Sequence, residues 1–474
     1  MATTTTPTGD RFAFASVREL GRMLRAGETT PVALAEQFLD RLDTVGRLYN
    51  AVVTLTRERA LAEAREAERE LTAGHDRGPL HGIPYGAKDL LATSGGIPTT
   101  WGAAPLRDQH FPHDAAVIER LRAAGAVLVA KLAMVELAGG FGYDQPNAAF
   151  TGPGKSPWNP EAWSGGSSSG SGSAVGAGAV PFAIGSETWG SILTPSSYCG
   201  VTGLRPTYGR VSRRGAMALS YTLDKLGPMC RTADDCGLVL AAIAGPDAGD
   251  DTTLPNAYRY TPDMMRTSGF RLGVIAGAAD GTQPEVGANF AATLDALRAV
   301  ATIEEVTLPD YPYAAVAQTL LNAEAASAMD DFVTSGKAAH LTAPEDRTGG
   351  YAMRTVSGKD YVTATRIRRH IVRDLDALFA RYDAILAPTT NAVASPLTVR
   401  FSEYFRSPAG RRPAIGAAGN VAGLPAIGVP NGFGERGLPT SVQFVGRAGS
   451  ENTVIAVAHA YQGQTDWHTH QPPV

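Results

Sequence analysis

One pattern constrains this chain more than any other. Amphipathic helices run directly into short apolar strands, and the pair recurs along the length. In "DAAVIERLRAAGAVLVAK", Val117, Ile118 and Leu121 share one helical face, Gly125 can end the helix, and "AVLVA" comes next as an apolar run of strand length. Asp114 is placed to cap that helix. "FRLGVIAG", "PEVGANFAATLDALRAV" and "ATIEEVTL" then give strand, helix, strand, and "RIRRHIVRDLDALFARY" before "DAILAP" gives helix and buried strand again. Wholly apolar strands must be covered on both sides. The alternation therefore specifies an α/β fold with a large mixed, mostly parallel β-sheet covered by helices on both faces.

Other segments carry less. Thr30 and Pro31 read as N-cap and first helical position, with Val32, Ala35, Phe38, Leu39 and Leu42 on one face. "RERALAEAREAERELTAG" reads as a charged helix, mostly exposed, with a solvated rather than a docking face. The stretch from about 308 to 360 is more irregular, and is either a lid or cap or plain surface structure. The formal net charge of −4 gives no basic patch, so no nucleic-acid partner is expected. No apolar run reaches about 18 residues and "MATTTTPTGD" has no secretory pattern, so the expectation is a cytoplasmic protein with no membrane partner. Cys199, Cys230 and Cys236 are too few for a disulfide framework and read as small core residues. His110 with His113, and His468 with His470, lack carboxylate or cysteine company, so no metal site is expected.

The stretch "WSGGSSSGSGSAVGAG" has the composition of a flexible linker. The neighbouring residues argue otherwise. "AVGAGAVPFAIGSETWGS" is small and apolar with no charge before Glu187, and a second hydroxyl cluster, "ETWGSILTPSS", comes at once. Buried hydroxyls at that density need partners, and glycines there let backbone N–H groups approach a ligand. A serine nucleophile needs a base. No histidine lies near either cluster in sequence, whereas Lys88 stands among Ile83, Pro84, Tyr85, Leu90 and Leu91, where burial would lower its pKa.

These motifs together resemble the amidase-signature hydrolases. "GIPYGAKD", "GGSSSGS" and "GSETWGSILTPSSYCGVTGLRPTYGRVS" occur in order, and "LRAGETTPVALAEQFLDRL", "LDKLGPMCRTADD" and "AGNVAGLPAIGVPNGFGERGLPTSVQFVGR" extend the likeness over nearly the whole chain. The resemblance implies the amidase-signature fold as a single domain over 11–474, with core motifs at about 76–245, after a disordered tail at 1–10. It implies a Ser-Ser-Lys triad: Ser191 as nucleophile, Ser167 as bridging serine after a cis peptide bond, and Lys88 as neutral base. Backbone N–H groups of Thr188, Trp189, Gly190 and Ser191 would form the oxyanion hole. No cofactor is implied.

The chain departs from the family pattern in this motif, and two of the changes alter its chemistry. The common Asp-Thr-Gly-Gly-Ser-Ile-Arg is here Glu187-Thr188-Trp189-Gly190-Ser191-Ile192-Leu193. Trp189 adds an apolar body beside the nucleophile. Leu193 removes a cation that could pair with residue 187, which puts the loop-bracing ion pair in doubt. Gly139, Gly140 and Phe141, in the segment matching the acyl pocket, are expected with Trp189 and Leu193 to line the substrate site. The expectation is an amidase cleaving C–N bonds of apolar or aryl small molecules, with aryl acylamidase, esterase or carbamate-cleaving (urethanase) side activity, working as a monomer or homodimer. The alternative is the glutaminase component, the A chain, of a tRNA-dependent amidotransferase; the absent arginine at 193 argues against a glutamine pocket.

Overall fold

The computed structural model describes residues 12–405 and 414–473; the expected tail at 1–10 lies outside the described residues. The strands are β1 (Val52–Leu55), β2 (Pro84–Lys88), β3 (Val127–Leu132), β4 (Lys155–Ser156), β5 (Asn159–Trp163), β6 (Phe182–Glu187), β7 (Thr202–Arg205), β8 (Lys225–Cys230), β9 (Phe270–Ile275), β10 (Ala301–Val306), β11 (Ala384–Pro388), β12 (Ala426–Phe433) and β13 (Pro439–Val445). Eleven form one mixed sheet in the order β1-β3-β2-β6-β8-β7-β12-β13-β11-β9-β10, and β4 pairs with β5 apart from it.

Parallel pairing holds in two blocks, β3-β2-β6 and β11-β9-β10, where helices connect the strands. The stretch from β6 through β8, β7, β12 and β13 to β11 is antiparallel, more than the alternation alone implies. The short Glu435–Gly437 turn joining β12 to β13 leaves no room for a crossover helix. Both faces are covered. Val127 and Val129 pack with Ala174, Val175 and Leu39, whereas Leu128 packs with Ile118, Leu121 and Leu240.

Two local expectations are corrected. Asp114 does not cap the helix Ala116–Ala123, whose N-cap residue, Ala115, makes no side-chain cap bond; its carboxylate instead receives two hydrogen bonds from Arg59, at 2.8 and 2.9 Å, and one from the Ser94 N–H at 2.8 Å. The charged helix Arg57–Thr72 is accordingly not wholly a solvated face. Arg59 and Glu63 turn inward, and Glu63 accepts from the N–H of Leu128 in β3 at 2.9 Å. The 308–360 stretch is largely helical, with helices Tyr313–Ala328, Asp330–Thr334 and Asp346–Met353. The three cysteines are buried, free thiols. No helix among the described residues is long and apolar enough to cross a membrane.

Candidate active site

Lys88 is the last residue of β2, and every residue of that strand is buried. The chain leaving it is fixed by Asp89, which accepts from the Thr100 N–H at 3.0 Å and pairs with buried Lys131 at 3.1 Å. Lys131 also donates to Thr99 Oγ1 at 2.7 Å and the Leu91 carbonyl at 2.8 Å. A buried lysine with a carboxylate partner is a structural cation. Lys88 has a different setting. Its Nζ meets three hydroxyls, Ser167 Oγ at 2.7 Å, Ser186 Oγ at 2.8 Å and Ser168 Oγ at 3.0 Å. Burial pushes its pKa well below the ordinary lysine value, more than the charges of Asp224 and Glu187 raise it. A neutral Nζ can accept a hydrogen bond from Ser167 Oγ–H, which is what a base requires.

The glycine-serine stretch supplies those hydroxyls. Residues 164–176 are all buried, and the helix Ser169–Gly176 begins directly after Ser167 and Ser168. The Gly166–Ser167 peptide bond is cis. Gly165 has φ +83°, and a Cβ there would lie 2.7 Å from the Cα of Pro195, so the loop meets the helix Leu193–Cys199 backbone to backbone. Two further hydroxyls of the stretch bond to backbone: Ser171 donates to the Ile184 carbonyl at 3.2 Å and Ser173 to that of Lys155 at 2.7 Å.

Ser191 lies in the turn between β6 and that helix and is half-buried. Its carbonyl accepts from the Ser168 N–H at 3.3 Å, which ties the turn to the residue after Ser167. Among the described residues nothing accepts from the N–H of Gly190 or Ser191, leaving both free to meet a ligand oxygen. The turn is held from two sides. Glu187 Oε2 accepts from the N–H groups of Ile192 at 2.9 Å and Leu193 at 3.1 Å. Asp224 accepts from Thr188 Oγ1 at 2.5 Å and from the N–H groups of Leu219 and Ser220 at 2.8 and 2.9 Å.

The loss of a cation at 193 does not leave Glu187 alone. Arg205, at the end of β7, donates to Glu187 Oε1 at 2.8 Å, both side chains are fully buried, and Asn420 donates to the same oxygen at 3.0 Å. Despite the cost of burial, Arg205 and Lys225 hold the Glu187 carboxyl down at about 2. The brace doubted from the sequence is present, supplied by a residue 12 positions later in "GVTGLRPT". A lone arginine inside that apolar run was the available signal; Ser168 and Ser186 stood inside the marked hydroxyl clusters but nothing singled them out there.

Beside the turn lies a cavity of about 280 Å³. Trp189, Gly190, Leu193, Tyr143, Trp163, Tyr198, Phe401 and Phe405 form much of its wall. Phe141 does not line it. Its ring is buried against Phe332, at 6.3 Å between centroids, and against Gly350. Gly139, at φ +77°, backs the Tyr143 ring, and Gly140 packs on Leu219; both stand one layer behind the surface they were expected to form. The sequence gives no sign of the Phe141 placement because its partners come from 332–350, some two hundred residues away. The histidine pairs do not converge on this site: His113 meets Phe111 edge-on, and His470 packs at a tilt against Phe433 and Trp467. Among the described residues no three His, Cys, Asp or Glu side chains group so as to hold a metal ion.

Residues 33–455 match the model of the family described as Amidase. Among curated proteins the chain is similar to the A chain of glutamyl-tRNA(Gln) amidotransferase from Thermosynechococcus vestitus, at 35% identity over 96% of this chain and 99% of that one. Among solved structures it is similar to the peptide amidase of Stenotrophomonas maltophilia, at 31% identity and TM-score 0.84 over 96% of this chain and 98% of that one. A structure described as a vestigial protein complex revealing the evolutionary origins of an s-triazine catabolic enzyme matches at 29% identity and TM-score 0.86, over 95% and 98%.

Proposed function

Because the chain belongs to the amidase-signature family, whose members act on carbon–nitrogen bonds, we propose that it is a hydrolase of amides with an apolar or aryl body, working through Ser191, Ser167 and Lys88. In this reading Ser191 Oγ attacks the carbonyl carbon as its proton passes to Ser167 and that of Ser167 to neutral Lys88. The C–N bond breaks, the leaving nitrogen takes a proton back through the same hydroxyls, and water then hydrolyses the Ser191 ester. The N–H groups of Gly190 and Ser191 stabilise the oxyanion, aided by those of Thr188 and Trp189. The observation that carries the catalytic part is Lys88 Nζ, buried and 2.7 Å from Ser167 Oγ with hydroxyls around it. The aromatic wall of the adjoining cavity supports the substrate class.

A second reading has its own observation. Curated relatives at 35–37% identity over 95% or more of the chain are the A chains of amidotransferases, so a glutaminase component of such a complex is the alternative. The two separate on the purified single chain. Anilides, aryl esters and carbamates of apolar acids should be hydrolysed and glutamine should not. Glutamine hydrolysis that appears or rises sharply with an added amidotransferase partner, with anilides inert, would favour the alternative.

A further inference from the structure

The cavity beside Ser191 is apolar on its walls and polar at its base. Besides Trp163 Nε1 in the aromatic wall, four side chains there hold atoms with no hydrogen-bond partner among the described residues: Arg205 Nη2, Asn420 Oδ1, Gln443 Oε1 and Thr389 Oγ1. All four residues are buried. In folded proteins, buried polar atoms without partners are few and need a reason. Here they share one cavity that also adjoins the reacting turn.

The orientation of each group is set by its other bonds. Asn420 Nδ2 donates to Glu187 Oε1 at 3.0 Å and to the Gly416 carbonyl at 2.9 Å, both acceptors only, so Oδ1 is the atom left over. Gln443 Nε2 donates to the Pro388 carbonyl at 3.2 Å, which leaves Oε1. Arg205 spends Nη1 on Glu187 and Nε on the Leu424 carbonyl at 3.0 Å, which leaves Nη2. The leftover set at the base is one guanidinium NH2 group, two carbonyl acceptors and one hydroxyl. Because Arg205 and Asn420 both bond Glu187 Oε1, the donor and one acceptor flank the same carboxylate.

We propose that the base of this cavity recognises a neutral primary carboxamide, carried on an aromatic or apolar body and distinct from the scissile bond. The amide oxygen accepts from Arg205 Nη2 and from the Thr389 hydroxyl, and its two N–H groups donate to Asn420 Oδ1 and Gln443 Oε1. A carboxylate has no N–H for the two carbonyl oxygens and would face the Glu187 carboxylate behind them. An ammonium group would face the Arg205 guanidinium. The charged amino-acid end of glutamine is excluded by the same pair of arguments. The inference rests on the amidase reading above and narrows its substrates to compounds with a second, unreactive carboxamide.

The test uses the full chain carrying Ser191→Ala, so that no probe is hydrolysed, and calorimetric titration with benzamide, N,N-dimethylbenzamide, benzoate and benzylamine. Benzamide should bind at least about tenfold more tightly than each of the other three, since a built polar site rejects analogues that leave its groups unpaired. Gln443→Met and Thr389→Val, each in the same background, should reduce that preference several-fold; Thr389→Val removes a hydroxyl with no other partner and keeps the side-chain shape. Benzoate or benzylamine binding as well as benzamide would overturn the proposal, as would a benzamide preference unchanged in both variants, which would place the amide elsewhere. Failure of the parent reading is separate: it would show as no anilide hydrolysis by the wild-type chain, whatever binds the variant.

Discussion

Lys88 Nζ stands 2.7 Å from Ser167 Oγ, with both side chains buried and no carboxylate among the hydrogen-bond partners of the lysine. Lys131, on the neighbouring strand, has Asp89 at 3.1 Å. The contrast separates a base from a structural cation. The charged form of Lys88 is disfavoured by burial, so the neutral amine persists well below the ordinary lysine range. Protonation removes the base, and kcat/KM for an anilide should therefore fall as pH drops through the depressed pKa and level off above it. Lys88→Ala should cost at least about a thousandfold on amides, in keeping with loss of a positioned base, and less on activated esters, whose leaving group needs no proton. A profile flat to about pH 5 would rule out the lysine as base.

The buried Glu187–Arg205 pair gives a stability prediction. Arg205→Met leaves a carboxylate that also holds the N–H groups of Ile192 and Leu193 without its cation, and should destabilise the fold by about 3–5 kcal/mol. Adding Glu187→Gln should recover part of that loss, because the neutral amide needs no counter-charge. Denaturant unfolding of the two single variants and the double variant measures the coupling; strict additivity would mean that the pair does not act as a unit.

Trp189 is one point where this chain parts from its family's sequence pattern, and its side chain lines the cavity. Trp189→Ala should raise KM for aryl substrates about tenfold with a smaller effect on kcat, since apolar contact is shared by ground and transition states. Trp189→Phe should retain most of the aryl preference. Equal kinetics for all three proteins on aryl and small aliphatic amides would mean that the indole only packs against the core.

How much of this was legible beforehand differs from place to place. The strand–helix–strand run from 270 to 306 and the helix before β11 read correctly because their apolar positions keep to one period and pack locally. Lys88 and the two serine clusters were marked by composition: a lysine among aliphatics, and hydroxyls among small apolar residues. What the sequence could not show was whatever depends on distant partners. Asp114 sits in a good capping position yet binds Arg59, because a helix far earlier in the chain offers a bidentate partner. Phe141 looked like a pocket wall and is covered by Phe332 and Gly350. The antiparallel β12–β13 pair at the centre of the sheet comes from the five-residue connection 434–438, not from any periodicity.

A buried acid pair joins the loop that holds Phe141 to the helix Asp346–Met353. Glu136 accepts from the N–H groups of Thr342 and Ala343, both at 2.8 Å, and Asp346 lies against it. Burial, and then the nearby Glu136 charge, push the Asp346 carboxyl up to about 8. A carboxyl raised in the folded state binds a proton there that the unfolded chain gives up near pH 4, so stability falls as pH rises between those values, by up to about 1.4 kcal/mol per pH unit. Asp346→Asn keeps a hydrogen-bond donor toward Glu136 without titrating. Its unfolding free energy should be flatter with pH, and above about pH 7 it should exceed that of the wild type. Parallel pH profiles for the two proteins would contradict a proton held on Asp346 in the folded state.

The central claim is that Ser191 carries the acyl group, and trapping that group tests it most directly. A slowly deacylating aryl carbamate should add one carbamoyl mass to the intact chain and release one equivalent of phenol. Peptide mass spectrometry should place the adduct on Ser191, and Ser191→Ala should take up none and lose all but about 1% of anilide turnover while keeping its fold. An adduct on another residue, or substantial turnover by Ser191→Ala, would contradict the account.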